Sequence, residues 1–399
     1  MNVNRIVNKT INLVTPQMHK TRREALASCV SSLLHGNPAT VTAIGRGIKS
    51  ETSDKHSIKR ADRLCSNSHL FSELDGIYTS LCTLFINCSS RPVILVDWSD
   101  LDKCKRHFLI RASLAFDGRS ITLYEEVHDL STKEKPATHT QFLSRLKAKL
   151  GDNVKPIVVT DAGFKTPWFR AVLEQGWDYL GRTRHPNFFT LDKGKKWQCI
   201  SKFYKRATTR PKARSGSVNR TTPLECRFII YKQAAKGRKD LNRYGKSRQS
   251  TNAKKYAKGA TDPWLLTTSL KMTRQLGKQA VALYKTRMQI EEEFRDMKSS
   301  TFGLGFEQSQ TKQLARLKII ILLTTLASLL LLLIGLSVIH SKAHYKYQAN
   351  TTRSKRVLSF QFIARRAIQD KKLKLNGDYF AISLYKITHQ VRTMTAKIR

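Results

Sequence analysis

The sequence predicts a mixed α/β fold with a β-rich insertion and helical regions at both ends. Three observations carry this. Two apolar runs, "RPVILVDWSD" from Arg91 and "KPIVVTDAGF" from Lys155, read as buried central strands that each end in an acid. Helical, amphipathic stretches alternate with strand-like ones around them. From about Pro186 to Arg274 that alternation gives way to strand-like pieces separated by very basic loops.

Taken in order, residues 1–72 read as short helices. "TRREALASCVSSLLHG" has helical apolar spacing and a Gly stop, and "TVTAIGRGI" and "KHSIKRADRLCSNSHL" follow it as turn-linked helices with basic residues outward. A helical DNA-binding region and an ordinary helical subdomain both fit. "RHFLIRASLAFDGRSITLYEEVHD" reads as two strands joined by a turn at Asp117–Gly118. "THTQFLSRLKAKLG" is an amphipathic helix, "TPWFRAVLEQG" a helix opening on Thr166 and Pro167, and "WDYLGRTRH" a strand. In the insertion, "FFTL", "KWQCISKFY", "LECRFIIYKQ" and "WLLTTSL" are strand-like. Between Lys193 and Thr261 the only acids are Glu225 and Asp240, and "KGRKDLNRYGKSRQSTNAKKYAKG" is too polar to bury itself. That stretch reads as a mobile basic loop suited to DNA phosphates. "SFQFIARRAIQDKKLKL" and "DYFAISLYKITHQVRTMTAKIR" are basic amphipathic helices suited to pairing protomers or touching DNA. The expected organisation is a helical DNA-binding region at 1–72, a first core part at 73–185, the basic insertion at 186–272, a second core part at 273–345 and a helical C-terminal region at 346–399.

The chain has 399 residues, 72 Lys and Arg against 29 Asp and Glu, and a formal net charge of +43. An excess of this size points to a polyanionic partner, nucleic acid before an acidic membrane. A hydrophobic content of 40% excludes wholesale disorder. The seven cysteines are scattered, with no Cys-x2-Cys pair and no His spacing that completes a zinc site, and read as reduced cytosolic thiols. The first twenty residues contain no apolar signal-like segment.

The run Ile319–Ile339 carries no charge and is long enough to span a bilayer. Both its flanks are basic, so it shows no inside–outside asymmetry. A helix apolar all round is also what a large soluble core buries, and we read it as a core helix rather than an anchor.

Asp97 and Asp161 end the two apolar strands. An acid there costs desolvation unless it binds a cation or hydrogen-bond donors. One such Asp is commonly a turn residue satisfied by backbone amides. Two of them, joined by a carboxylate from a later helix, make a hard oxygen set for Mg²⁺ or Mn²⁺. The helix is "TRQLGKQAVALYKTRMQIEEEFRDMKSS". At about 100° per residue, Tyr284, Arg287, Glu291 and Lys298 fall within roughly 60° of arc, and Arg295 joins them. Leu283, Ile290, Phe294 and Met297 form the adjoining apolar side, while Glu292 and Glu293 turn progressively away. An exposed helix stitched by pairs such as Glu291–Arg295 is the alternative. Asp100 remains an alternative ligand to Asp97.

Tyr284, Arg287, Glu291 and Lys298 match a Tyr-x2-Arg-x3-Glu-x6-Lys signature without a gap, and "VLVDWSD", "VTDAGFKTPW" and "GLGFEQSQ" accompany it. In these motifs the chain resembles bacterial insertion-sequence transposases of the Asp-Asp-Glu class. The resemblance runs through most of the chain. It implies an RNase H-like catalytic core with a β-strand insertion between the second Asp and the Glu. It implies Mg-dependent cut-and-paste transposition through nicking, hairpin formation, hairpin opening and strand transfer. By it, Asp97, Asp161 and Glu291 would hold two Mg²⁺ ions, which Mn²⁺ can replace. Tyr284, Arg287 and Lys298 would contact phosphates, with Arg295 beside them. Trp264 resembles a residue on which a flipped base stacks, although a core strand position accounts for it equally well. The implied partners are the double-stranded DNA of the terminal inverted repeats and target, and a second copy of the chain in a homodimeric synaptic complex, with no membrane. The implied location is the cytoplasm, at the nucleoid. An inactive end-binding relative and a plain nuclease are the competing readings.

Overall fold

The computed structural model describes residues 3–86, 89–192, 194–233, 246–251, 253, 262–352, 354–374 and 377–396. The basic loop anticipated at 236–259 lies mostly outside the described residues, and Cys88 lies outside them too. The chain forms two compact units. The first joins residues up to Val154 with those from Met288 onward, and the second is Lys155–Arg287.

The first unit opens with five helices, α1 (Val3–Val14), α2 (Lys20–Leu34), α3 (Val41–Arg46), α4 (Asp54–Cys65) and α5 (Ser68–Ile86). The stop anticipated at Gly36 is present: its φ is +100°, and its N–H donates to Leu33 O at 3.0 Å. A meander follows, of β1 (Val93–Asp100), β2 (His107–Ala115) and β3 (Ser120–Asp129), in the spatial order β3-β2-β1 and antiparallel throughout. The β2–β3 turn falls at Asp117–Gly118, where Gly118 takes φ +73° and Phe116 N–H donates to Arg119 O. Asp97 lies opposite Arg111 in the β1–β2 register. Helix α6 (Pro136–Leu150) begins with Pro at its first position, where the missing N–H costs nothing.

The second unit continues with β4 (Ile157–Thr160), α7 (Thr166–Glu174), β5 (Asp178–Arg182), β6 (Phe188–Thr190), β7 (Gln198–Cys199), α8 (Ile200–Tyr204), β8 (Lys212–Val218), β9 (Leu224–Tyr231), β10 (Trp264–Thr268) and α9 (Leu276–Thr286). Its strands lie in the order β4-β5-β10-β9-β8-β6-β7. The β4–β5 pair is parallel and the other pairs are antiparallel. This is the mixed α/β layering that the sequence predicts. One segment departs from expectation. "KWQCISKFY" is not one strand, because after Cys199 the chain turns into α8, which buries Ile200 and Phe203 at i and i+3. Phe203 stacks on Phe189 with ring centroids 4.7 Å apart, a contact that a strand would not direct there.

The chain then returns to the first unit through α10 (Met288–Lys298), α11 (Leu314–His340), α12 (Phe360–Gln369) and α13 (Asp378–Ala396). Helix α11 contains the uncharged run. It is long and apolar enough to cross a membrane, yet 94% of its most apolar stretch is buried inside the protein. Its neighbours are α2, α4, α12, α13 and β3. Such a helix has no polar face to offer solvent and must be covered on all sides. Gly335 allows the Phe360 carbonyl to approach the helix where any side chain would collide with it. Arg316, in the first turn, ties α11 to α4 by donating to Asp62 Oδ1 at 2.5 Å and to Ser66 Oγ at 2.6 Å.

Candidate active site

Asp161 directly follows the end of β4, whereas Asp97 does not end its strand, because pairing with β2 carries β1 three residues further to Asp100. In β1, Val93–Val96 are buried and the chain becomes half-buried from Asp97 onward. Asp97 Oδ1 accepts the Trp98 N–H at 2.8 Å. In β4 all four residues are buried, and Asp161 follows as a half-buried residue whose Oδ1 accepts the Gly163 N–H at 2.8 Å. Both acids thus hold the local amide bond anticipated for a turn carboxylate, which accounts for one oxygen of each. Asp100 lies 3.7 Å from both Lys105 and Lys133.

The helix expected over residues 273–300 is two helices. Arg287 closes α9 with its N–H on Tyr284 O at 3.2 Å, a tightened i→i+3 turn, and α10 starts at Met288. The division between the two units falls at the same place. Tyr284 and Arg287 therefore belong to the second unit with Asp161, and Glu291 and Lys298 to the first with Asp97. Among the described residues, no three His, Cys, Asp or Glu side chains are gathered closely enough to hold a metal ion.

In the first unit, Glu291 stands half-buried in the first turn of α10. Lys298, in the last turn, reaches β1 and donates to Ser99 Oγ at 2.7 Å. Burial pushes its ammonium below the ordinary lysine pKa, against the pull of Asp100. Arg295 does not join a row of cations. It forms an ion pair with Glu292, three residues back, on the exposed face. Glu293 does turn away from Glu291, as the helical geometry predicts, but into the core and not into solvent. It is 6% exposed, and it accepts hydrogen bonds from Ser113 Oγ at 2.9 Å and from the hydroxyls of Ser120 and Thr122. Arg111, 2% exposed, lies 3.5 Å from Glu293 and donates to Glu125 at 2.8 Å.

In the second unit, Trp264 is half-buried at the start of β10, which lies between β5 and β9. Its ring meets Tyr284 edge-on, with centroids 5.0 Å apart and planes at 70°, and Tyr231 at 5.8 Å. The Arg287 guanidinium stands 5.9 Å from the Tyr284 ring centre. Tyr284 is buried, which pushes its phenol above the usual tyrosine range, while Arg287 and Arg182 pull it down.

A model of the transposase DDE domain matches residues 89–330, more than half of the chain. The chain belongs to the DDE transposases. The match opens just before β1 and ends inside α11, so the apolar helix begins within the transposase domain. No curated protein matches this transposase significantly. Membership makes the protein an enzyme of the nuclease and strand-transfer kind that acts on DNA, in a family that uses divalent metal ions, and its mixed α/β layers have the RNase H-like character of that family. The Arg111–Glu125–Glu293 group was not singled out from the sequence. Its signal was an arginine in the middle of the apolar run "HFLIRASLAF", since a charge on a buried strand requires a partner.

Proposed function

We propose that this transposase excises and inserts an insertion sequence by a cut-and-paste route, cleaving at the transposon ends through hairpins and joining them to target DNA. The domain match across residues 89–330 carries the reading, supported by carboxylates within β1, just after β4 and on α10. The spacing of Tyr284, Arg287, Glu291 and Lys298 supports reading it as one of the Tyr-Arg-Glu-Lys subgroup, in which it resembles the transposase of the tetracycline-resistance composite transposon.

Asp97, Asp161 and Glu291 are the residues to hold two Mg²⁺ ions, or Mn²⁺ in their place. Their chemistry fits, because all three offer anionic oxygen, which such hard cations prefer, from half-buried positions. When bound, such ions would supply Lewis-acid stabilisation of the charge that develops in phosphoryl transfer. Lys298 carries a partly desolvated charge next to β1, where it can grip a phosphate more firmly than a solvated lysine. Arg287 and the Tyr284 hydroxyl are the corresponding phosphate contacts of the second unit, and Arg295 adds an exposed cation. Trp264 offers an aromatic face against which an unstacked base can rest. The net charge of +43 draws the DNA in and makes its binding salt-dependent. A homodimer at paired ends and a cytoplasmic, nucleoid location without a membrane anchor complete the reading.

The test is end cleavage in Mg²⁺ on DNA bearing the inverted repeats that flank the gene. Glu291→Ala is expected to keep end binding and to reduce nicking and hairpin formation to background. Cleavage by Glu291→Ala at the wild-type rate would remove Glu291 from the chemistry.

A further inference from the structure

Helix α10 is held by directional bonds on the side away from Glu291. Residue i+2 of a helix lies about 200° around the axis, so Glu293 faces the sheet while Glu291 does not. Glu293 meets three hydroxyls from β2 and β3, those of Ser113, Ser120 and Thr122, together with the Arg111 guanidinium. Arg111 also donates to Met297 Sδ at 3.4 Å and lies 5.1 Å from the Phe294 ring centre, so it meets α10 at three inward positions, Glu293, Phe294 and Met297. Its other partner, Glu125, accepts from Tyr78 of α5 at 2.9 Å and from Thr325 of α11 at 2.6 Å. One turn further along α10, Asp296 accepts from Arg119 at 2.6 Å.

Such a cluster is a poor way to gain stability. Burying a carboxylate costs several kcal/mol of desolvation, and apolar side chains of similar volume often replace buried ion pairs without loss. Apolar contacts, however, leave a short helix free to roll or slide, whereas hydrogen bonds to fixed strand positions do not. Arg111 is also the cross-strand partner of Asp97, and directly opposed residues of a ladder share a face. The same arginine therefore stands beside the strand position of the first acid and grips the helix that carries the third.

We infer that Arg111 and Glu293 are positioning residues that set the rotation and register of Glu291 relative to Asp97, without touching metal or DNA. This rests on the assignment of those acids to the metal site.

The experiment uses the full chain and two readouts. Mn²⁺ binding is followed through the paramagnetic signal of the free ion, with Glu291→Ala as reference, and amide exchange in α10 and α11 is followed without metal. Glu293→Leu leaves the Arg111–Glu125 pair intact. It is expected to speed exchange in α10 while α11 stays protected, and to weaken Mn²⁺ binding and slow end cleavage by about 10- to 100-fold. Glu293→Gln, which keeps an acceptor for the strand hydroxyls, is expected to recover most of both. Should Glu293→Leu fail to fold, Ser120→Ala with Thr122→Val removes two of the same bonds, with the same expected direction. Folded variants with wild-type Mn²⁺ affinity and wild-type exchange in α10 overturn the inference. If the wild-type chain neither binds Mn²⁺ nor cuts DNA, the assignment of the acids fails on its own. Exchange then decides whether the anchor stands: faster exchange in α10 upholds it, and unchanged exchange overturns it.

Discussion

Helices α10 and α11 follow one another in the first unit and are secured in opposite ways. Helix α11 is apolar on every side, and nearly all its residues from Leu317 to Val338 are buried against other helices and β3. Its grip is large and mainly non-directional, with specific bonds from Arg316 in its first turn and a few hydroxyls such as Thr325 and Ser337. Helix α10 has 11 residues and six of them are charged. It buries Ile290, Phe294 and Met297, and it adds a carboxylate bonded to two strands. Burial by area holds a unit together, whereas bonds with fixed donors determine where one side chain points. A helix that presents the carboxylate proposed for catalysis needs the second, and a core helix needs mainly the first.

The comparison can be broken most forcefully at α11. Leu326→Ala empties a fully buried position and is expected to cost about 3 kcal/mol of stability, measured by denaturant unfolding with an unchanged slope. A loss below about 1 kcal/mol would mean that α11 is not rigidly packed. The adjacent Thr325→Val keeps the volume and removes one donor from Glu125. It is expected to cost about 2 kcal/mol, because the acceptor is charged and buried. The pair sharpens the contrast, since Leu326 tests bulk burial on α11 and Thr325 tests the single directional thread that runs from it toward α10. Arg295→Ala provides the small end of the scale. Its pair with Glu292 is solvent-exposed, so stability should move by no more than about 0.5 kcal/mol. Salt should then weaken end binding less steeply in the variant if Arg295 meets phosphate, and equally in both proteins if it does not.

Much of the fold was readable because its signals are local. The turn at Asp117–Gly118, the start of α7 at Thr166 and Pro167 and the stop at Gly36 each depend on a residue or two of backbone preference. Strand β8, "KARSGSV", has no such signal, and its strand form comes from pairing with β9 and β6. Helix α8 was hidden for a related reason. Its apolar residues suit either period, and contact with Phe189 selects the helix. At the candidate site, the helical wheel placed the apolar side of α10 correctly, since Ile290, Phe294 and Met297 are all buried. It could not show that Glu293 has partners, because Ser113 lies 180 residues away in sequence and Ser120 lies 173 away.

The sequence by itself determined most of the element types, the hairpin, the acids that close the two apolar runs, the uncharged helix and the charge that calls for nucleic acid, because each is written in short-range pattern or in composition. Tertiary structure alone decided that Arg295 turns to Glu292, that Tyr284 and Trp264 meet edge to edge, that α11 is enclosed by protein, and that Arg111 joins the strand of Asp97 to the helix of Glu291. The physical reason is the same in each case: a charge or a ring is settled by whichever partner the fold brings within a few ångströms, and short-range pattern in the sequence does not name that partner.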